Sequence, residues 1–214
     1  MFTIKDNMNK FNIDPVLKND SIFKSGANKK PVIGFDMDGV ILDNADAKIK
    51  IAKKHGFEIK LHHTPTEIIR TVLPQIILEK LQKVLYGDHP IAMSTPLMRG
   101  VRTVLAEVKR RKILYFLISR RKIPEVAVKL LKKRAIWPDY FNFENSFFVA
   151  EPVDKDKKAA ELGITHYIDD EQKIINILSS VPNKFLFDRF NVFKKTDYYI
   201  KIKSWSEFKK HIWK

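Results

Sequence analysis

Hydrophobic and polar positions alternate along the chain in blocks that predict strands and helices in turn. Apolar runs of strand length lie at 32–35, 113–118, 146–150, 166–168 and 184–187. Segments with the apolar spacing of a helix lie between them, at 100–111, 124–134, 156–163 and 173–180. Strands that alternate with helices of this length form a mostly parallel sheet, which helices cover on both faces. The pattern therefore predicts an α/β fold with a doubly wound, Rossmann-like sheet.

Between the first and second apolar runs the spacing is helical throughout. Helices are predicted at 45–55, 64–73 and 75–86, and Pro74 should end or kink the second of them. This block predicts a small helical cap that is inserted after the first strand. The predicted division of the chain is an N-terminal extension at 1–31, a core domain of 32–44 and 94–214, and the cap at 45–93.

Polar residues follow three of the predicted strands. They are Asp36 and Asp38 after the first strand, where Gly39 turns the chain, Ser119 after the second, and Asp169 and Asp170 after the fourth. Because the carboxyl ends of parallel strands lie at one edge of a sheet, we expect these residues to share a site. Neighbouring carboxylates repel one another, and Mg²⁺ is the usual remedy. Such a site suits attack on a phosphate ester by one carboxylate, proton transfer by another, and a serine hydroxyl that holds the phosphoryl oxygens.

Composition narrows the class of protein further. The chain has no cysteine, which excludes disulfides, zinc–thiolate sites and thiol catalysis. Its 40 Lys and Arg residues outnumber 25 Asp and Glu residues, for a net charge of +15. This excess favours a polyanionic partner or the steering of a phosphate ester. The alternative is a lysine-rich proteome, because most of the excess is lysine scattered along the chain. The chain shows neither the apolar segment of a signal peptide nor a run of membrane-spanning length, so we expect a cytoplasmic protein. The sequence makes no prediction of oligomeric state.

Three motifs resemble those of the haloacid dehalogenase (HAD) superfamily of aspartate-nucleophile phosphatases. D-M-D-G-V-I-L-D, which begins at Asp36, is similar to the first motif, and F-L-I-S, which ends at Ser119, is similar to the second. Y-I-D-D-E, which contains Asp169 and Asp170, is similar to the fourth. The resemblance implies that Asp36 attacks phosphorus, Asp38 acts as general acid and base, and Ser119 binds phosphate. It also implies a Mg²⁺ ion held by Asp36, the backbone carbonyl of Asp38, Asp169 and Asp170, with Asp170 either a ligand or a partner of one.

The third motif of that superfamily is a single lysine, and the sequence offers three. Lys155, Lys157 and Lys158 all precede the fourth motif. Relatives that read K-x6-L-G-I before the paired aspartates favour Lys155, and Lys158 is the second candidate because one helical turn could bring it to the same edge. The superfamily resemblance as a whole covers residues 32 to about 212.

Within the superfamily, the chain resembles the 5′-nucleotidase branch, whose members include deoxyribonucleotidases. The helical insertion resembles that branch's cap, I-S-R-R-K matches its T-A-R-P at Arg121, and the tail up to Phe208 resembles its late strand and Trp-Glu segment. Arg120 and Lys122 depart from the branch, which has alanine and proline there. The resemblance implies a nucleoside monophosphate as substrate. We assign Gly39, Ser119, Arg120 and Arg121 to substrate binding.

Alternatives to a nucleotidase follow from the same residues. The basic Arg120, Arg121 and Lys122 favour a phosphorylated macromolecule, either a phosphotyrosine protein or a nucleic-acid end. A non-catalytic binding protein that keeps the fold is the contrasting class, which the presence of both Asp36 and Asp38 disfavours. Dehalogenation is disfavoured too, because the second aspartate is the acid that a phosphate ester's leaving group requires.

Overall fold

A six-stranded, fully parallel sheet forms the centre of the molecule in the computed structural model, which describes residues 30–213. The strands are β1 (Val32–Phe35), β2 (Leu114–Ser119), β3 (Ser146–Phe148), β4 (His166–Asp169), β5 (Asn183–Phe187) and β6 (Ile200–Ile202). Their order across the sheet is β3-β2-β1-β4-β5-β6, with β1 hydrogen-bonded to both β2 and β4. The chain direction across the sheet reverses between β1 and β4, which is where open α/β sheets place their ligands.

Nine helices of the described residues surround this sheet. They are α1 (Ala45–Lys54), α2 (Thr66–Val72), α3 (Gln75–Tyr86), α4 (Pro90–Met93), α5 (Val101–Arg110), α6 (Pro124–Lys133), α7 (Pro152–Glu161), α8 (Gln172–Ile177) and α9 (Trp205–Ile212), with a short 3-10 turn at Leu61–His63. The predicted α/β class and doubly wound parallel sheet are confirmed. The sequence pattern did not predict the short helix α4 or the C-terminal helix α9. Among the described residues, no helix is both long and apolar enough to cross a membrane.

Two hydrophobic clusters cover the faces of the sheet, and a third lies outside it. On one face Phe35 contacts Trp205 of α9, with ring centroids 5.5 Å apart. On the other face Gly34 lies against Tyr167, and an added Cβ would come within 2.5 Å of that ring, so this close approach requires glycine. The third cluster joins α1, α2 and α3 through residues such as Ile51, and it gives these helices a core of their own.

One boundary differs from the sequence prediction in a way that matters for the site. Helix α7 begins at Pro152, four residues before the predicted start at 156. Proline suits the first turn of a helix, and the Asp154 carboxylate accepts a hydrogen bond from the Glu151 N–H at 3.0 Å. Lys155 therefore lies in the first turn of a helix and not in the preceding loop. The predicted extension lies almost wholly outside the described residues, and the bounds of core and cap stay predictions.

Candidate active site

The carboxyl ends of β1, β2 and β4 bring the predicted site residues to one edge of the sheet. The Asp36 N–H donates to the Ile168 carbonyl at 2.9 Å, so that Asp36 continues the β1–β4 pairing by one residue. Beyond it the chain turns at Gly39, where φ is +81°. Ser119 and Asp169 are the last residues of their strands and are almost fully buried.

Lys155 joins two of these carboxylates. Its Nζ donates to Asp36 Oδ1 at 2.5 Å and to Asp169 Oδ2 at 2.7 Å, and the lysine is only 2% exposed. Burial raises the pKa of Asp36 to about 7, although the Lys155 ammonium lowers it. Burial likewise raises the pKa of Asp169, again opposed by Lys155. Burial alone would lower the pKa of Lys155, but the two carboxylates hold it well above its ordinary value.

The other two candidate lysines do not reach the carboxylates. Lys157 pairs with Asp154 at 3.3 Å and leaves 75% of its side chain exposed. Lys158 pairs with Glu161 at 2.5 Å on the same helix. Of the three lysines that the sequence left open, the structure thus brings only Lys155 to Asp36.

Three carboxylates form a group that could hold a metal ion. Each of Asp36, Asp169 and Asp170 offers an oxygen, and the three oxygens lie within 4.8 Å of one another. The pKa of Asp170 is raised well above its ordinary value, chiefly by burial and next by the charge of Asp169. Hard oxygen ligands that repel one another, with a single lysine to offset them, fit a divalent cation such as Mg²⁺. The residues present therefore suit the metal that the sequence motifs imply.

Gly39 serves this group by making room for it. A Cβ on Gly39 would lie 2.2 Å from Asp170 Oδ2, and the positive φ is itself unfavourable for other residues. Gly39 lines a small cavity beside Asp170. It does not line the larger cleft whose wall contains Asp36 and Ser119. The structure thus places Gly39 behind a carboxylate, although the sequence assigned it to substrate binding.

Asp38 has a different partner from the other carboxylates. Arg121 donates from Nε to Asp38 Oδ2 at 2.8 Å and from Nη2 to Asp38 Oδ1 at 2.7 Å. Burial would raise the pKa of Asp38, but the charge and hydrogen bonds of Arg121 hold it below its ordinary value. The carboxylate of Asp38 is not part of the three-carboxylate group. The sequence motifs assign the backbone carbonyl of Asp38 to the metal. The side chain of Asp38 pairs with Arg121.

Arg121 also contacts Ser119 and an aromatic ring. Its backbone N–H donates to Ser119 Oγ at 3.2 Å, and its guanidinium lies 5.3 Å from the centre of the Tyr86 ring. Its Nη1 is buried and has no hydrogen-bond partner among the described residues, and the same holds for Nε of Arg120. Buried donors without partners are costly, so each of these two nitrogens has the capacity for one further hydrogen bond.

A cleft of about 430 Å³ opens over these groups. Asp36, Asp38, Ser119, Arg121 and Lys155 lie in its wall on the sheet side. The opposite wall comes from α2 and α3, and it includes the cleft residues Thr66, Arg70, Glu79, Gln82, Lys83 and Tyr86. The cleft thus joins the strand ends to the helices that the sequence predicts as a cap.

Sequence reasoning missed several residues of this site. Tyr86 and Arg70 carry no motif, and their spacing only shows that they belong to helices. Lys48 is 3% exposed, and it lies between the buried Ala47 and Ile51 on α1. The detectable signal was a lysine on the apolar face of that helix, three residues before Ile51.

Comparisons with known proteins identify the fold. No protein-family model matches the sequence, and no curated protein matches it. A HAD-superfamily hydrolase from Ehrlichia chaffeensis superposes with a TM-score of 0.56 at 13% identity, over 87% of this chain and 98% of that one. A candidate β-phosphoglucomutase from Thermotoga maritima gives 0.53 at 15% identity, over 85% and 99%. A candidate HAD hydrolase from Bacillus subtilis, YfnB in a magnesium-bound form, gives 0.56 at 13% identity, over 86% and 99%. The chain therefore has the fold of these three proteins.

Proposed function

We propose that this protein is a Mg²⁺-dependent phosphomonoester hydrolase of the HAD type, which works through an aspartyl-phosphate intermediate. The observation that carries the proposal is the meeting of Asp36, Asp38, Ser119, Lys155 and Asp169 at one sheet edge, at the base of a cleft. These residues come from four separate parts of the chain. Each is the residue type that phosphoryl transfer requires at its position.

Asp36 is the nucleophile in the first half of the reaction. Lys155 holds its Oδ1, which leaves Oδ2 to form a bond with phosphorus while the bond from phosphorus to the leaving oxygen breaks. Asp38 gives its proton to that leaving oxygen. Two groups bind the phosphoryl oxygens, on which charge spreads in the transition state: Nη1 of Arg121, which has no partner among the described residues, and Ser119 Oγ, which accepts from the Arg121 backbone N–H.

Asp38 is the base in the second half. It takes a proton from a water molecule whose oxygen attacks phosphorus, and the bond between phosphorus and Asp36 breaks to release phosphate. Arg121 stabilises the ionised form of Asp38, as this step requires. For the acid step, we infer that the substrate phosphate attracts Arg121 and weakens its hold on Asp38, so that Asp38 can carry a proton.

Asp36, Asp169 and Asp170 would hold the Mg²⁺ ion. When bound, the ion offsets the charge of the phosphoryl oxygens and of the carboxylates around them. Lys155 holds two of these carboxylates in place, because its ammonium group contacts both.

The substrate proposal is a nucleoside monophosphate, and it rests on the sequence resemblance to 5′-nucleotidases. The solved structures named above are described as hydrolases and a mutase, so they add no support for that branch. A phosphorylated macromolecule is the second candidate. The observation that favours it is the series of cations along the cleft wall, with Arg70, Lys83, Arg120 and Lys122 in addition to the two that bind Asp38 and Asp36.

The test is phosphate release from a panel of substrates with and without Mg²⁺. The panel holds an aryl phosphate, nucleoside monophosphates, a 5′-phosphorylated oligonucleotide and a phosphotyrosine peptide, with a 2-haloacid as the dehalogenase arm. We expect Mg²⁺-dependent turnover that Asp36→Asn reduces by about 10⁵-fold or more, because the variant loses its nucleophile with little change of shape. The exposed Asp46→Asn is the matched control.

The outcomes separate the candidates. A preference for nucleoside monophosphates supports the nucleotidase, and a preference for the oligonucleotide or the peptide supports the macromolecular substrate. Halide release without phosphate release would contradict the proposal. Wild-type activity in Asp36→Asn would remove Asp36 from its role.

A further inference from the structure

Lys48 is a buried lysine that has no role in the reaction as proposed. It lies in the first turn of α1, and Nζ donates to the Thr64 carbonyl at 2.8 Å and to Thr66 Oγ1 at 3.4 Å. Among the described residues these bonds use two of the three N–H groups of an ammonium. Lysine is almost never fully buried unless charged or polar groups surround it, so its position requires a reason.

The reason lies in the carboxylates that surround Lys48. Burial lowers the pKa of Lys48, and Asp170, Asp38 and Glu171 oppose that shift, in falling order of effect. Lys48 and Asp170 also line the same small cavity of about 30 Å³. A space of this size holds one or two water molecules, through which the ammonium and carboxylate can interact.

A count of charges shows what Lys48 contributes. Five carboxylates lie together at this edge, and they are Asp36, Asp38, Asp169, Asp170 and Glu171. Three buried cations face them, namely Lys48, Arg121 and Lys155. Lys48 is therefore one of three buried positive charges that offset the charge of these carboxylates. Arg70 is also near enough to act on Lys48, but it is exposed, so solvent and salt screen its charge and it offsets the carboxylates less.

We propose that Lys48 is a positioning residue that sets the affinity of the Asp36, Asp169 and Asp170 group for its divalent cation. The proposal rests on the proposed function, in that the group binds Mg²⁺. With Lys48 in place the empty carboxylate group is stabilised and the ion is held less tightly. Without it one of the nearby positive charges is lost, so the group attracts Mg²⁺ more strongly and is less stable when empty.

The experiment is calorimetric titration of Mg²⁺ into the full chain at low salt, without substrate. It compares wild type with Lys48→Met, Lys48→Gln and Lys50→Met. Lys50 lies on the same helix but is exposed, so Lys50→Met removes the same charge from a screened position. We expect both Lys48 variants to bind Mg²⁺ about tenfold more tightly or better, and Lys50→Met to match wild type.

Lys48→Gln separates charge from structure. Its amide can still donate to the Thr64 carbonyl, so a purely structural role for Lys48 predicts wild-type Mg²⁺ affinity in this variant. Affinity equal to that of Lys50→Met, or weaker, overturns the proposal. If both variants are unfolded without the ion, we expect Mg²⁺ to refold them by linkage, and failure to do so also overturns it. Absence of Mg²⁺ binding by wild type would refute the metal part of the proposed function itself, and this proposal with it.

Discussion

Two ion-paired centres share this cleft, and they differ in how firmly each is held. Lys155 lies between Asp36 and Asp169, all three are nearly or fully buried, and two of the three belong to strand ends. Arg121 pairs with Asp38, whose side chain is 16% exposed, and its Nη1 has no hydrogen-bond partner among the described residues. We therefore expect the first centre to keep the proposed nucleophile in place and the second to exchange partners when an anion arrives.

This difference matches the two kinds of work in the proposed reaction. A nucleophile needs a fixed position relative to phosphorus, and the rigid sheet edge gives it one. An acid that later becomes a base must change its protonation state within one turnover, so its partner must be able to move. The two centres can be tested separately because substitutions in each should fail in different ways.

After Asp36→Asn, the largest effect is expected at Asp38. In Asp38→Asn with an aryl phosphate, whose leaving group needs little help, Asp36 should still be phosphorylated. Hydrolysis of the intermediate should slow by about 10³-fold, because no base activates the water. Rapid mixing should then show a burst of one phenolate per active site, and intact mass spectrometry should show one added phosphoryl group.

Two further variants make that result specific. Asp46→Asn, an exposed aspartate on α1, should keep steady turnover without a burst. Asp36→Asn should show neither burst nor added mass. A fully active Asp38→Asn enzyme would refute the acid and base roles, and would also remove the distinction between the two centres.

The second effect is one of stability, at Lys155. Lys155→Met leaves Asp36 and Asp169 buried together without their cation, which costs about 3–5 kcal/mol of unfolding free energy. Urea unfolding without Mg²⁺ measures this loss. Lys157→Met, at a side chain 75% exposed, should change stability by less than about 0.5 kcal/mol. Equal stability of the two variants would contradict the view that the first centre is rigidly held by Lys155.

The residues of these centres were not equally visible in the sequence. Asp36, Ser119 and Asp169 each end an apolar run, and a parallel sheet brings such ends together, so period and topology sufficed to predict them. Lys155 needed a spacing learned from relatives, since α7 begins earlier than its apolar pattern indicates. Tyr86 and other contacts from α1–α3 depend on how those helices pack against the sheet, which no local pattern specifies.

The predicted bounds of core and cap show the same limit of local sequence patterns. The bounds of core and cap at 32–44, 45–93 and 94–214 rest on a change from strand spacing to helical spacing. The structure gives α1–α3 a hydrophobic cluster of their own, but they also form one wall of the cleft. A boundary in the pattern therefore does not separate two sites, because the site lies across it.

The smallest effect is expected at Tyr86 of α3, whose ring contacts Arg121 in the second centre, the pair of Arg121 and Asp38. Its ring lies 5.3 Å from the Arg121 guanidinium, and a contact of this kind is worth about 0.5–2 kcal/mol. In Tyr86→Leu the arginine is less well held against the cleft, so KM should rise by about 2- to 30-fold with a smaller change in kcat. Steady-state kinetics with an aryl phosphate measures the split. Tyr86→Phe keeps the ring and should behave as wild type, whereas equal losses in both variants would show that the hydroxyl, and not the ring, holds Arg121.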